Sequence, residues 1–293
     1  MYEAFFGLHE PAFSLNADPR FLWLSETHQE GLSALCYGIS RRKGFLMLTG
    51  EVGTGKTTLL RAALDRLPAD LLDVPEVAVV TNTAELGPLD LLKLTCAELR
   101  IGGPQLPLYQ PLETKADYLI ALHAFLVDRH RAGLVTVLVI DEAQNLSLTT
   151  LEQVRLLSNL ETSSEKLLQI VLLGQPELRR KLSDPRLRQL RQRIAVDHHV
   201  EPLGPQEVLP YLRHRVQVAG GRYERVFAIG AEPTFIEFSS GCPRLLNLLA
   251  DKVLLSAYAK NMRPVVPALV ELKAKELAAW RFRPPVERRA RRD

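Results

Sequence analysis

One eight-residue stretch, Gly50-Glu51-Val52-Gly53-Thr54-Gly55-Lys56-Thr57, constrains this chain more than any other, because it satisfies GxxxxGK[ST] in full. That pattern belongs in one setting, with a strand leading into it and a helix leading out. Phe45-Leu46-Met47-Leu48-Thr49 is a short apolar run that reads as a buried strand, and Thr58 to Leu67 reads as a helix. A loop so placed aims several backbone N–H groups and the positive end of a helix at one phosphate chain. Glycine at 50, 53 and 55 lets the backbone close on phosphates without a Cβ clash. Lys56 brings a point charge to the β and γ phosphates, the Thr57 hydroxyl is a ligand for Mg²⁺, and Gly50 through Thr58 is the expected phosphate-binding segment.

Strand and helix patterns alternate on both sides of that loop. Val77-Ala78-Val79-Val80 reads as a second strand, Leu89 to Leu99 as a helix, and Lys115 to Arg131 as an amphipathic helix after a Pro/Gly-rich connector from Gly102 to Pro111. Val135-Thr136-Val137-Leu138-Val139-Ile140 and Leu168-Gln169-Ile170-Val171-Leu172-Leu173, separated by a helix from Leu148 to Leu160, suit central strands of a parallel sheet covered on both faces. The fold class expected is a doubly wound α/β structure with a parallel sheet over residues 44–201. Before it, residues 1–43 read as a lead-in packing beside a nucleotide base, with a helix from about Glu26 to Ile39. From Pro202 the pattern turns helical, at 205–219, 232–239, 243–259 and 266–280, which predicts a small all-helical domain over 202–280.

Asp141-Glu142 ends the most apolar strand and so falls at the carboxyl edge of the sheet, where open α/β sheets bind ligands. Phosphoryl transfer to water needs a metal ligand and an oriented nucleophile. Asp141 is the candidate for holding Mg²⁺ through water, and Glu142 for polarising the attacking water. Asn145, just beyond, is a candidate cap for the next helix.

In order along the chain stand GEVGTGKT, DEAQ, Leu173-Gly174-Gln175-Pro176-Glu177-Leu178, the arginine-rich 187–194 and Gly241-Cys242-Pro243-Arg244, preceded by Pro11-Ala12-Phe13-Ser14-Leu15 and Asp18-Pro19-Arg20-Phe21-Leu22. Over about residues 1–275 this resembles the ExeA/GspA-like AAA+ ATPases, and more loosely the TnsC/TniB-type transposition ATPases and the Orc-type initiators. The resemblance implies an AAA+ core followed by a helical lid, with ATP and Mg²⁺ as ligands. It also implies roles for single residues. Gln175 falls where such proteins place the polar sensor 1 residue, although many have Asn, Ser or Thr there. Asn82, ending the second strand, matches a residue that in some relatives holds the catalytic glutamate idle. Arg193 matches the position of an arginine finger reaching a neighbouring subunit, with Arg191 and Arg188 as competitors, and a homo-oligomer follows from that role. Arg244, opening a helix after Pro243, resembles sensor 2, the alternative being a structural salt bridge.

Charge narrows the partners only slightly. The formal charge is +3, but residues 281–293 hold six arginines against Glu287 and Asp293, a net +4 that leaves the rest of the chain at −1. Such a body excludes a general coating of positive charge, so nucleic acid binding requires a local patch or the tail. Cys36, Cys96 and Cys242 are far apart with no CxxC pair, which excludes a disulfide framework and fits a reducing cytoplasm. The adjacent His198 and His199 face opposite sides of any strand and have no third ligand at suitable spacing, so they read as ordinary residues. No run of about 18 apolar residues exists to span a bilayer. The expected setting is cytoplasmic, with any tie to the inner membrane made through partners.

Two jobs follow from the resemblance: driving assembly of secretion, pilus or exopolysaccharide machinery with an envelope protein as partner, or regulating recombination on duplex DNA. The arginine- and proline-rich residues 281–293 read as a solvated tail, or as the basic flank of a membrane span. Deleting 281–293 is expected to leave nucleotide affinity unchanged in an equilibrium binding assay, and a loss of affinity would contradict the reading of this segment as a tail.

Overall fold

Apolar side chains on both faces of a strand bury it only if layers cover both faces, and in the computed structural model three strands meet that condition. The structure describes residues 1–67, 75–81, 83–102, 112–163 and 165–281. Its five strands are β1 (Phe45–Gly50), β2 (Glu76–Val80), β3 (Thr136–Ile140), β4 (Leu168–Gly174) and β5 (Ile194–Val200). They form one sheet in the order β2-β3-β4-β1-β5, all neighbours parallel. The central β3, β4 and β1 are buried at every residue, whereas the edge strands β2 and β5 are covered only in part. Gln169 is the polar exception inside β4; its amide accepts from Gly44 N–H at 2.8 Å and donates to the Lys166 carbonyl at 3.1 Å, so its burial leaves no group unpaired.

Helices α1 (Glu26–Ser40), α2 (Lys56–Asp65), α3 (Pro88–Glu98), α4 (Lys115–Arg131), α5 (Leu148–Leu157) and α6 (Pro176–Leu182) accompany the sheet. Their ends follow local chemistry. Thr114 and Asp117 form a reciprocal capping box that starts α4. The cap of α5 is Ser147, whose hydroxyl accepts from Thr150 N–H at 3.1 Å, and not Asn145. Asn145 belongs to a separate 3-10 turn, Ala143–Asn145, which ends too early for its side chain to serve α5. Two elements do not show as apolar runs in the sequence. Helix α6 is one of them; the other is β5, whose exposed Ala195 and Asp197 alternate with half-covered neighbours.

By contacts the described residues divide into two units, one within 26–52 and 56–201, the other within 1–25, 53–55 and 202–281. The contacts thus part the 1–43 lead-in at Ser25. The second unit contains α7 (Pro205–Val218), α8 (Glu232–Ser239), α9 (Pro243–Ala259) and α10 (Pro267–Arg281), which with the sheet unit gives the α/β core and helical region expected. Proline opens α7 and α9, where its missing N–H has no helical partner to lose. The residues of the connector from 103 to 111 and of the tail from 282 onward lie outside those described.

The helical unit is closed by the chain's first residues. Phe6, Leu8, Phe13 and Phe21 share a core with Val208, Leu212, Phe227, Phe235, Leu249 and Val253. Phe13, Phe227 and Phe235 meet edge to face at centroid distances of 6.1 and 5.4 Å. Arg215, on α7, anchors this segment: its buried guanidinium donates to Ala12 O at 2.7 Å and Ser14 O at 3.0 Å and lies 4.6 Å from the Phe21 ring centroid. Burial pulls the guanidinium below its ordinary pKa, opposed by the neighbouring Tyr211 and by Asp18.

Gly241, before α9, has φ +77°, and a Cβ there would lie 2.0 Å from the Leu203 carbonyl oxygen. Only glycine fits this approach, which also carries the Leu203 N–H to Gly241 O bond of 2.9 Å. Gly241→Ala is expected to destabilise the helical unit by at least about 2 kcal/mol in chemical denaturation. An unchanged midpoint would mean that this packing is not as described.

Candidate functional site

In a parallel sheet every strand delivers its carboxyl end to the same edge, so the residues following β1, β3 and β4 are neighbours by construction. After β1 the loop turns through Gly53 (φ +84°) and Gly55 (φ +98°), conformations that suit glycine, while Gly50 is the last residue of the strand. Glu51 and Val52 are exposed, Thr54 is buried, and Thr57 and Thr58 are half-covered in the first turn of α2. Lys56, only 8% exposed, donates to Gly50 O at 2.8 Å and Glu51 O at 2.9 Å. Its ammonium is therefore folded back on the carbonyls of its own loop.

After β3, Asp141 N–H continues the sheet by donating to Val80 O at 3.0 Å. The Asp141 carboxylate accepts Glu142 N–H at 2.8 Å. Glu142 has a left-handed backbone, φ +52°, an unusual state for a residue with a Cβ. Thr83 helps hold it, its hydroxyl donating to Glu142 O at 2.8 Å. The sharp turn sends the exposed Glu142 side chain to the end of the neighbouring strand, where Gln175 Nε2 donates to Glu142 Oε2 at 3.0 Å.

Gln175 is the N-cap of α6, which Pro176 opens. Its backbone N–H donates to Gln144 Oε1 at 3.1 Å, and Gln144 Nε2 donates in turn to Glu142 Oε2. Lys181 on α6 caps the same turn by donating to the Gln144 and Leu146 carbonyls. Gln144 was not a candidate from the sequence. The only signal for it is a polar residue in the turn between two apolar elements, and its importance depends on knowing that β4 lies beside β3.

Asp141, Glu142 and Gln175 thus stand together at the carboxyl edge, Gln175 after β4, which pairs with the strand that carries the Lys56 loop, and the two acids after β3 on the other side of β4. Thr57 and Asp141 offer hard oxygen donors of the kind Mg²⁺ takes, with phosphate and water completing its shell. Arg193 is placed quite differently. It precedes Ile194, which pairs with Phe45 at the start of β1, so it lies at the amino edge of the sheet, on the order of 17 Å of strand away from the loop. There it donates to Ser158 Oγ at 2.7 Å and Asn159 Oδ1 at 2.6 Å, whereas Arg188 and Arg191 are exposed.

Arg244, exposed in the first turn of α9, belongs to the helical unit, with which Gly53–Gly55 also group. Its backbone N–H donates to Gly53 O at 3.2 Å, and a Cβ on Gly53 would fall 2.5 Å from that of Arg244. Asn82 lies outside the described residues. The two histidines are engaged separately, His198 Nε2 with Thr27 O at 2.8 Å and His199 Nδ1 with the Thr49 hydroxyl at 2.9 Å.

Comparison with known proteins points to the same fold. An AAA domain matches residues 39–182. The chain is 44% identical to General secretion pathway protein A of Aeromonas hydrophila over 282 residues, 96% of this chain and 49% of that protein, so it spans about half the length of this relative. Among solved structures it is similar to the Aeropyrum pernix ORC2 protein, with a TM-score of 0.67 at 16% identity, covering 91% of this chain and 71% of that one. Cdc6p from Pyrobaculum aerophilum gives 0.67 at 19% identity, covering 90% and 70%. The RuvB Holliday junction branch migration motor of Thermotoga maritima gives 0.57 at 17%, covering 87% and 69%. At these identities the structural likeness is one of fold. Taken with the parallel sheet and its loop, the match of residues 39–182 to an AAA domain shows the AAA+ P-loop fold, and over nearly its whole length the chain is similar to General secretion pathway protein A.

Proposed function

We propose that this chain binds ATP with Mg²⁺ and hydrolyses it, and that the cycle switches its oligomeric state or conformation to drive assembly of a secretion or envelope apparatus. The observation that carries the enzymatic part is the placing of Lys56, Asp141, Glu142 and Gln175 after three adjacent parallel strands. In this reading Lys56 leaves the Gly50 and Glu51 carbonyls to meet the β and γ phosphates, and the loop amides from Gly50 to Thr58 cradle the chain of phosphates. Mg²⁺, which Thr57 and Asp141 would hold, supplies neutralisation of charge on the phosphate oxygens. Glu142 takes a proton from the water that attacks the γ phosphorus as the bond to the bridging oxygen breaks and ADP leaves. Gln175 orients that water or the γ-phosphate by its side-chain amide.

Arg193 acts on another copy. Its position at the amino edge, remote along the strands from its own loop, supports a finger that completes a neighbouring site, and a homo-oligomer follows. Arg188 and Arg191 are the alternatives for that role. Arg244 contacts the γ-phosphate as sensor 2, and Asn82 restrains Glu142 until a partner arrives. The similarity to General secretion pathway protein A supports the secretion role; an envelope protein as partner and a cytoplasmic setting belong to the same reading. Among the described residues no helix is long and apolar enough to cross a membrane.

A second reading is an ATP-dependent regulator that assembles on duplex DNA. It is favoured by the segment from 176 to 193, where seven lysines and arginines stand against Glu177 and Asp184. Glu142→Gln protein, which should bind ATP and retain it, separates the two when its oligomer size and duplex binding are followed together. Assembly with ATP alone, indifferent to DNA, supports the secretion role. DNA-driven assembly that weakens steeply with salt supports the regulator instead.

Three variants test the chemistry. Lys56→Ala is expected to abolish measurable ATP binding. Glu142→Gln should retain binding while hydrolysis falls at least about 100-fold. Arg193→Ala should lose roughly 1,000-fold in kcat, and mixing it with Glu142→Gln should restore part of the activity, because each variant supplies what the other lacks. Failure of mixing to restore activity would remove the case for a finger in trans at Arg193.

A further inference from the structure

Glu142, Gln144 and Gln175 form a closed circuit. Gln144 Nε2 and Gln175 Nε2 both donate to Glu142 Oε2, while Gln144 Oε1 accepts the backbone N–H of Gln175 at 3.1 Å. Both ends of the Gln144 amide are thereby engaged, which fixes its orientation: carbonyl toward β4, NH₂ toward Glu142. The Gln144 backbone is itself secured, its carbonyl accepting from Lys181. Space for the amide comes from Gly174, where a Cβ would lie 3.1 Å from Gln144 Oε1 and 2.8 Å from Leu178 Cδ2. Both amides thus converge on one carboxylate oxygen, Glu142 Oε2.

We propose that Gln144 is a positioning residue for the hydrolytic reaction: its amide ties the Glu142 carboxylate to the Gln175 backbone, so that base and sensor keep one spacing and move as one piece. The inference rests on the reading of Glu142 as the base. A carboxylate on a left-handed residue at an exposed strand end has several rotamers, and a general base acts only within hydrogen-bonding reach of its water. Two converging donors select one of them. The residue at 144 must donate and accept at the same time, which a glutamine does and neither a leucine nor an ionised glutamate does.

The test compares kcat, KM and ATP affinity of Gln144→Leu, Gln144→Glu, Gln175→Ala and the Gln144→Leu/Gln175→Ala pair, with Glu142→Gln as reference. Both Gln144 variants are expected to lose roughly 10- to 100-fold in kcat, with ATP affinity within about two-fold of the parent. Because both amides hold the same carboxylate oxygen, their losses should be coupled, the double variant being slower than the parent by clearly less than the product of the two single losses. Gln144→Glu preserves size and the acceptor for Gln175, so it tests the donor even where the leucine perturbs folding. Unchanged kcat, a parallel loss of affinity and kcat, or losses that multiply in the double variant would each overturn the proposal. The reading beneath it fails separately, by an active Glu142→Gln. An inactive Glu142→Gln beside fully active Gln144 variants would remove the role of Gln144 alone.

Discussion

Pairing of β4 with both β1 and β3 is the constraint on which the rest of this protein depends. Parallel registers such as Met47 with Leu172 and Leu138 with Ile170 hold the three strands side by side. They place the loop after β1, the acids after β3 and Gln175 after β4 along a single edge. Strands that must be parallel cannot be joined by tight turns, so the connections are helices, and those helices cover the faces that the apolar strands expose. The hydrophobic burial that stabilises the sheet is therefore also what brings residues 56, 141, 142 and 175 to one edge.

At that edge the Glu142 carboxylate is oriented by neutral groups. Among the described residues the groups holding Glu142 are two side-chain amides, a threonine hydroxyl and the backbone. Neutral donors orient a carboxylate without pairing off its charge as an arginine would. Three arginines of the same unit are engaged elsewhere: Arg179 is paired with Asp197, Arg186 with Asp184, and Arg193 is held by Ser158 and Asn159.

What could be read from the sequence follows burial. The strands β1, β3 and β4 are legible because they are buried on both faces, and the loop between β1 and α2 because its glycines and lysine have few other uses together. Helix α4 is legible to the residue, since Thr114 and Asp117 mark its start. Strand β5 is not, because an edge strand partly open to water admits Asp197 and two histidines. Gln144 was missed for a different reason: nothing local distinguishes it until the order of strands is known. Arg215 was missed because it lies in the run Arg213-His214-Arg215, which reads as a solvated helix face, and the carbonyls that hold its guanidinium belong to residues about 200 positions earlier.

That last contact has a consequence for biosynthesis. The Ala12 carbonyl and the Arg215 guanidinium are 203 residues apart, with the whole sheet unit between them in the chain. A ribosome adding roughly 5 to 20 residues per second needs on the order of 10 to 40 s to cover that interval. During it Phe6, Phe13 and Phe21 have emerged, but α7 and its arginine have not. The sheet unit, continuous apart from one short loop, has all its strands available well before the helical unit has its last helix. Residues 1–25 therefore wait as an unpartnered aromatic segment, a natural client for a holding chaperone, until α7 and the helices after it arrive to close over them.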